Sequence, residues 1–103
     1  MIVFITGASC GFGRAIAKHF ANNGHKIIAL ARRKEKLESL REEIGKAHII
    51  PCDICDKESL KIHLNALPRE YQDIDVLVNN DGLALGLEKA YECNFEDWEQ
   101  MIA

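Results

Sequence analysis

The chain has 103 residues, of which 48% are hydrophobic and 28% charged, with a formal net charge of -3. That balance suits a single soluble globular domain and excludes a disordered chain; the slightly acidic charge gives no electrostatic reason to expect a nucleic-acid or membrane partner. No apolar run approaches the roughly 20 residues needed to span a bilayer, and the apolar start Met1–Ile5 lacks the basic segment and cleavage site of a signal peptide, which points to the cytoplasm.

Along the chain, strand and helix patterns alternate. Met1–Thr6 is a continuous apolar run with β-branched residues, as expected of a strand buried on both faces. From Gly11 to Asn23, Phe12, Ile16, Ala17, Phe20 and Ala21 form a helical stripe that stops at Gly24. Lys26–Ala31 predicts a second buried strand. Arg33 to Ile44 predicts a second helix, with Leu37, Leu40 and Ile44 at helical spacing and Gly45 as its stop. Ala47–Pro51 reads as a third strand, and Asp56 suits the N-cap of a helix running to about Leu67, closed by Pro68. Ile74–Asn79 is the fourth strand. No clear period follows between Asn80 and Cys93. Asn94 is then a good N-cap for a helix starting at Phe95, which Ala103 cuts after about two turns.

Strand–helix alternation with short connections implies an α/β fold with a parallel sheet and right-handed crossovers. Four strands so connected take the order 3-2-1-4, the first part of a doubly wound sheet. The fourth, with Val76-Leu77-Val78, would then be an apolar edge that requires a further strand to bury it. Residues 1–103 are therefore expected to be the N-terminal, dinucleotide-binding part of one domain, truncated in a helix.

The strongest chemical signal is Thr6-Gly7-Ala8-Ser9-Cys10-Gly11-Phe12-Gly13, between the first strand and the first helix. A diphosphate needs backbone N–H groups and a helix N-terminus aimed at it, with no side chain in the way. Gly7 would allow the sharp exit from the strand, Gly11 the approach of the backbone to the diphosphate, and Gly13 close packing of helix on strand. Ser9 has a hydroxyl to offer a phosphate or ribose. The second strand ends Leu30-Ala31-Arg32-Arg33, with no acid before Glu35. A carboxylate there would accept from ribose hydroxyls, whereas guanidinium groups suit a 2′-phosphate, so the expected cofactor is NADP. Asp53 follows the third strand, where it suits a turn or a cap. Asn79 and Asn80, at the end of the fourth strand, lie where parallel sheets place ligands.

The spacing G-x-x-x-G-x-G, together with Leu77-Val78-Asn79-Asn80-Asp81-Gly82, resembles the T-G-x-x-x-G-x-G and N-N-A-G motifs of the short-chain dehydrogenases/reductases, and the resemblance covers all 103 residues. Gly11-Phe12-Gly13, the segment Asn80 to Gly86 and Glu96-Asp97-Trp98 look most like the family's NADP-dependent 3-hydroxy acid dehydrogenases. The resemblance implies a Rossmann-type fold and hydride transfer between NADP(H) and a small hydroxy or carbonyl substrate, in an assembly of identical subunits. It carries over cofactor contacts to Gly7, Ser9, Gly11, Phe12, Gly13, Arg32, Arg33, Asp53, Ile54 beside the adenine, Asn80 and Gly82. Two departures stand out. Asp81 replaces the family's alanine, setting a carboxylate near an anionic ligand, and Cys10 sits where many NADP-preferring relatives carry a basic residue.

No residue takes a catalytic role. The family's tyrosine works in a Tyr-x-x-x-Lys pair, but Tyr71 is followed four positions on by Asp75, and Tyr91 by Phe95. His19, His25, His48 and His63 form no recognisable triad spacing and read as solvated or core residues. Cysteines stand at 10, 52, 55 and 93; the Cys52-x-x-Cys55 pair lacks the two further ligands zinc requires, so reduced, partly buried thiols and no metal site are expected. The alternatives to an enzyme are a chain that binds NADP(H) without turnover, and an assembly piece that pairs through its exposed strand edge.

Overall fold

The computed structural model describes residues 1–9 and 11–80. Cys10, Asp81, Gly82, Cys93 and the helix expected from Phe95 lie outside the described residues.

Eight elements follow one another: β1 (Ile2–Thr6), α1 (Gly11–Asn22), β2 (Lys26–Ala31), α2 (Lys34–Ile44), β3 (His48–Pro51), α3 (Lys57–Asn65), a 3-10 turn (Arg69–Tyr71) and β4 (Val76–Asn79). The strands form one parallel sheet in the expected order 3-2-1-4. Thr6 lies opposite both Leu30 of β2 and Asn79 of β4, and Ala31 opposite Pro51 of β3. All four strands therefore finish along one edge of the sheet.

The period-2 alternation of strand side chains sorts the core into two layers. Val3 and Ile5 of β1 and Ile27, Ala29 and Ala31 of β2 face one way, against Ala17 of α1 and Leu37 and Leu40 of α2. Phe4, Ile28, Leu30 and Ile50 face the other way, against Leu60 of α3, Leu67 and Tyr71. Both faces of β1 and β2 are covered, which explains why neither strand shows any polar alternation. The α1–α2 layer is lined by small alanines on the strands, so the helices can lie close to the sheet. Among the described residues no helix is long and apolar enough to cross a membrane.

Local chemistry sets the element ends. Asp56 caps α3 by accepting from the Ser59 amide at 3.1 Å. Gly45, at φ 88°, ends α2 by donating its amide to the Arg41 carbonyl. At the opposite end of the sheet, Asp75 accepts from the Ile2 amide at 2.8 Å while its own amide donates to the Ile2 carbonyl at 2.9 Å. This reciprocal pair starts β4 in register with β1. The 3-10 turn was not anticipated; it brings Tyr71 under the sheet, against the His48 ring at 5.5 Å.

Two outcomes test this packing. Leu40 is fully buried, so Leu40→Ala should cost about 2–5 kcal/mol in urea unfolding, whereas Ile62→Ala, at a position 63% exposed, should stay within about 0.5 kcal/mol. Equal effects would contradict the assigned core. Burial, with smaller contributions from His63 and Arg41, holds the His48 pKa below its ordinary 6.5. The folded state binds that proton less readily than the unfolded chain, so stability is full above pH 6.5 and falls as pH drops through that value. His48→Gln should flatten the slope of unfolding free energy against pH; an unchanged slope would assign it to other groups.

Candidate dinucleotide site

The site is built where β1 and β4 end side by side. In an open parallel sheet, the crevice forms where the chain changes direction across the first strand, and here that point lies between β1 and β4. The Thr6 hydroxyl donates across the gap to Asn79 Oδ1 at 3.1 Å. Asn80 is buried, and its side-chain amide donates to the Gly7 carbonyl at 3.2 Å. The Ala8 amide donates to the Leu30 carbonyl at 3.1 Å, which anchors the same loop to β2. The turn after β1 is thus held from both neighbouring strands.

Gly7 and Gly11 take positive φ values of 62° and 60°, a region that disfavours side chains. Gly13 is required for a different reason. A Cβ there would lie 2.0 Å from the Gly7 oxygen and 2.9 Å from Asn80 Nδ2. No real contact is that short, so the first turn of α1 is pressed onto the loop as the glycine spacing implied.

This places the N-terminus of α1 at the crevice. Its first amides have no carbonyl one turn earlier to bond, and they carry the positive end of the helix dipole. No acidic residue stands in the first turn to compete for them. Ser9 is half-buried in the loop, while Phe12 is 82% exposed.

Arg32 and Arg33 follow β2 directly, on the same edge of the sheet, and both are exposed. Arg33 has extended backbone and precedes α2 without capping it through its side chain. Among the described residues neither guanidinium has an ion-pair partner, although Lys18, Lys34 and Lys46 each pair with a glutamate. Loop and arginines therefore supply two anion-attracting positions on one edge, which fits a ligand with a diphosphate and a further phosphate.

The loop after β3 is less open than expected. Asp53 Oδ1 accepts from the Cys55 amide at 3.0 Å, the geometry of a turn aspartate. Ile54 is only 7% exposed, packed with Ile50, Cys52 and Leu60, which leaves an edge of it for an adenine ring. Gly82 lies outside the described residues.

The cysteine pair requires a correction. Cys52 is free and buried, as expected, and burial pushes its thiol up in pKa against a weaker opposing hydrogen bond to Ser59. Cys55 is disulfide-bonded rather than reduced. Cys55 is exposed in the turn, whereas Cys52 points into the α3 layer and is free, so the two sulfurs are not joined to each other.

The sequence reading also missed Arg14. Its Nη2 lies 3.1 Å from Glu43 Oε2, and Lys18 Nζ lies 2.6 Å from the same oxygen. These contacts cross from α1 to α2, and no local periodicity announces them.

Gly13→Ala is the direct test of the loop geometry. The added methyl meets backbone rather than a flexible side chain, so the variant should lose about 1–3 kcal/mol of stability by urea unfolding. A wild-type midpoint would show that the loop can retreat from α1.

Comparison with known proteins agrees with this geometry. A family described as short chain dehydrogenase matches residues 1–103. The chain is 48% identical over 103 residues to the NADP-dependent 3-hydroxy acid dehydrogenase of Salmonella typhi, covering 99% of this chain and 42% of that protein. It thus spans less than half the length of that relative. It is 51% identical to a probable NADP-dependent dehydrogenase of Dichelobacter nodosus, covering all of this chain and 98% of that protein. The closed form of a serine dehydrogenase complexed with NADP+ superposes with a TM-score of 0.76 at 45% identity, covering 99% of this chain and 42% of the other. With the whole of its length matched, the chain belongs to the short-chain dehydrogenase family.

Proposed function

We propose that this chain is the NADP-binding portion of an oxidoreductase that moves a hydride between NADP(H) and a small hydroxy or carbonyl substrate, with a 3-hydroxy acid as the favoured substrate class. The observation that carries the cofactor choice is the exposed Arg32–Arg33 pair, without ion-pair partners among the described residues, on the sheet edge that also holds the glycine loop. The NADP named for the relatives above supports it. Serine is itself a 3-hydroxy acid, so the relatives' names converge on one substrate class.

In this reading the amides of Gly11, Phe12 and Gly13 hold the diphosphate, Ser9 bonds a phosphate or ribose oxygen, and Arg32 and Arg33 bind the 2′-phosphate. Asp53 and Ile54 border the adenine, and Asn80 and Gly82 shape the loop beside the ribose. When bound, the nicotinamide supplies the hydride chemistry. The residues of this chain bind and orient it, and none of them is assigned to proton transfer. Residues 1–103 then correspond to the first part of a single Rossmann-type domain. The same reading includes a cytoplasmic setting, and assembly with further copies of the chain, which the family resemblance supports.

A second reading, NADP(H) binding or assembly without turnover, draws on one observation. The Dichelobacter nodosus relative is matched over 98% of its length, so its sequence is similarly short. Binding without oxidation of 3-hydroxy acids by the full protein would favour it.

The deciding experiment is a titration with NADPH and NADH, followed by fluorescence. A charge-assisted hydrogen bond contributes about 1.5–3 kcal/mol, so Arg32→Ala/Arg33→Ala should weaken NADPH binding by about tenfold or more while leaving NADH nearly unchanged. Equal binding of both cofactors, insensitive to these substitutions, would remove the NADP assignment.

A further inference from the structure

Arg14 occupies the first turn of α1, directly after the close contact of Gly13 with the loop. Its side chain is only 22% exposed and reaches sideways onto α2. Nη1 donates to the Lys36 carbonyl at 3.4 Å, and Nη2 donates to Ser39 Oγ at 3.3 Å and pairs with Glu43 Oε2 at 3.1 Å. Positions 36, 39 and 43 fall on one face of α2, spaced by about one turn each. One turn further along α1, Lys18 joins the same Glu43 oxygen at 2.6 Å. The Lys18 and Arg14 contacts hold the Glu43 carboxyl below its ordinary pKa, consistent with a carboxylate that stays charged between them.

These contacts join the two helices that begin at the candidate site. α1 starts with the amides of the glycine loop, and α2 starts immediately after Arg32 and Arg33. Within an NADP molecule the diphosphate and the 2′-phosphate are joined through one ribose, so their separation varies little. A protein that binds both must keep its two anion sites at a matching spacing, and affinity gains when that spacing is set before binding. Sheet pairing fixes where β1 and β2 end, but α2 begins beyond β2, where Arg33 has extended backbone and no side-chain cap. Arg14 adds polar ties from the start of α1 to the first two turns of α2, at the Lys36 carbonyl and Ser39 Oγ, beside the apolar packing of the two helices.

We propose that Arg14 is a positioning residue for NADP selectivity, setting the start of α2, and with it Arg33, at the spacing from the glycine loop that a 2′-phosphate requires. This rests on the cofactor reading above and extends it from the residues that touch the phosphate to the one that spaces them. Arg14 is partly buried and engaged with α2 through both terminal nitrogens, so its role is exerted through the helix rather than by contact with the ligand.

The test is a double-mutant cycle on the full protein, with NADPH and NADH dissociation constants measured by fluorescence for wild type, Arg14→Met, Arg33→Ala and the double variant. Arg14→Met should weaken NADPH by about fivefold and NADH by less than about twofold. In the Arg33→Ala background, the same change should leave NADPH binding almost unaltered, because the group being positioned is gone. Arg14→Lys keeps the charge but not the paired donors, and should recover only part of the loss. An equal loss for both cofactors, or an undiminished loss in the Arg33→Ala background, would overturn the proposal by showing general support or direct contact. If Arg14→Met fails to fold by circular dichroism, Ser39→Ala removes one contact of the clamp and should shift the NADPH-to-NADH ratio in the same direction; an unchanged ratio overturns the proposal. If wild type shows no preference for NADPH, the cofactor reading itself fails and the positioning role falls with it. A wild-type preference lost in Arg33→Ala but kept in Arg14→Met rejects the positioning role alone.

Discussion

The carbonyl oxygen of Gly7 is the point on which the cofactor edge depends. It accepts from the Asn80 side chain and lies only 2.0 Å from where a Cβ on residue 13 would be, so loop, helix and the residue after β4 all meet at one backbone atom. Removing the space at Gly13 displaces α1; removing the Asn80 amide leaves a part-buried carbonyl short of a donor. In the proposed reading, this contact holds the helix N-terminus at the crevice mouth, where an anion would meet it. Thr6 and Asn79 add a second tie across the same pair of strands.

Charge is arranged around that point unevenly. Arg14 and Lys18 are engaged with Glu43, Lys34 with Glu38 and Lys46 with Glu70, all away from the crevice or along its flank. Arg32 and Arg33 remain exposed beside it, and the first turn of α1 carries no acid. An exposed ion pair contributes little to stability, so the paired residues matter chiefly for where they hold the helices. The exposed arginines matter for what they leave available. Together the pairings leave Arg32 and Arg33 as exposed cations with no ion-pair partner among the described residues.

Much of this was legible in the sequence because the determinants are local. The runs Ile2–Thr6 and Lys26–Ala31 are apolar on both faces, which only a sandwiched parallel strand satisfies, and the glycine spacing between β1 and α1 specified both the turn and the close approach. Asp56 and Gly45 marked element ends through their own side-chain and backbone chemistry. What escaped was non-local. The 3-10 turn at Arg69–Tyr71 has no period to detect, and its Tyr71 is recognisable as core only once β3 and α3 surround it. Nothing in the charged stretch of α2 itself announces that Glu43 meets Arg14 and Lys18 from another helix. Cys52 and Cys55 look equivalent as a pair, but one points into the core and the other stands in an exposed turn. The placement of Ile54 in the core likewise follows from α3 packing rather than from its neighbours in sequence.

The hydrogen bond from Asn80 to Gly7 joins residues 73 apart, as the Thr6–Asn79 contact does, and the Asp75–Ile2 pair closes a loop of the same length. Such contacts carry the entropic cost of closing a long loop, which must be met before they return any interaction. During synthesis, β1, α1 and β2 can leave the ribosome and associate while the partner that fixes the turn is still unmade. The glycine loop is therefore translated before β4 but gains this contact only once β4 is present. Under the proposed reading, a loop shaped to receive an anion awaits the arrival of β4 rather than the folding of the helix that follows it.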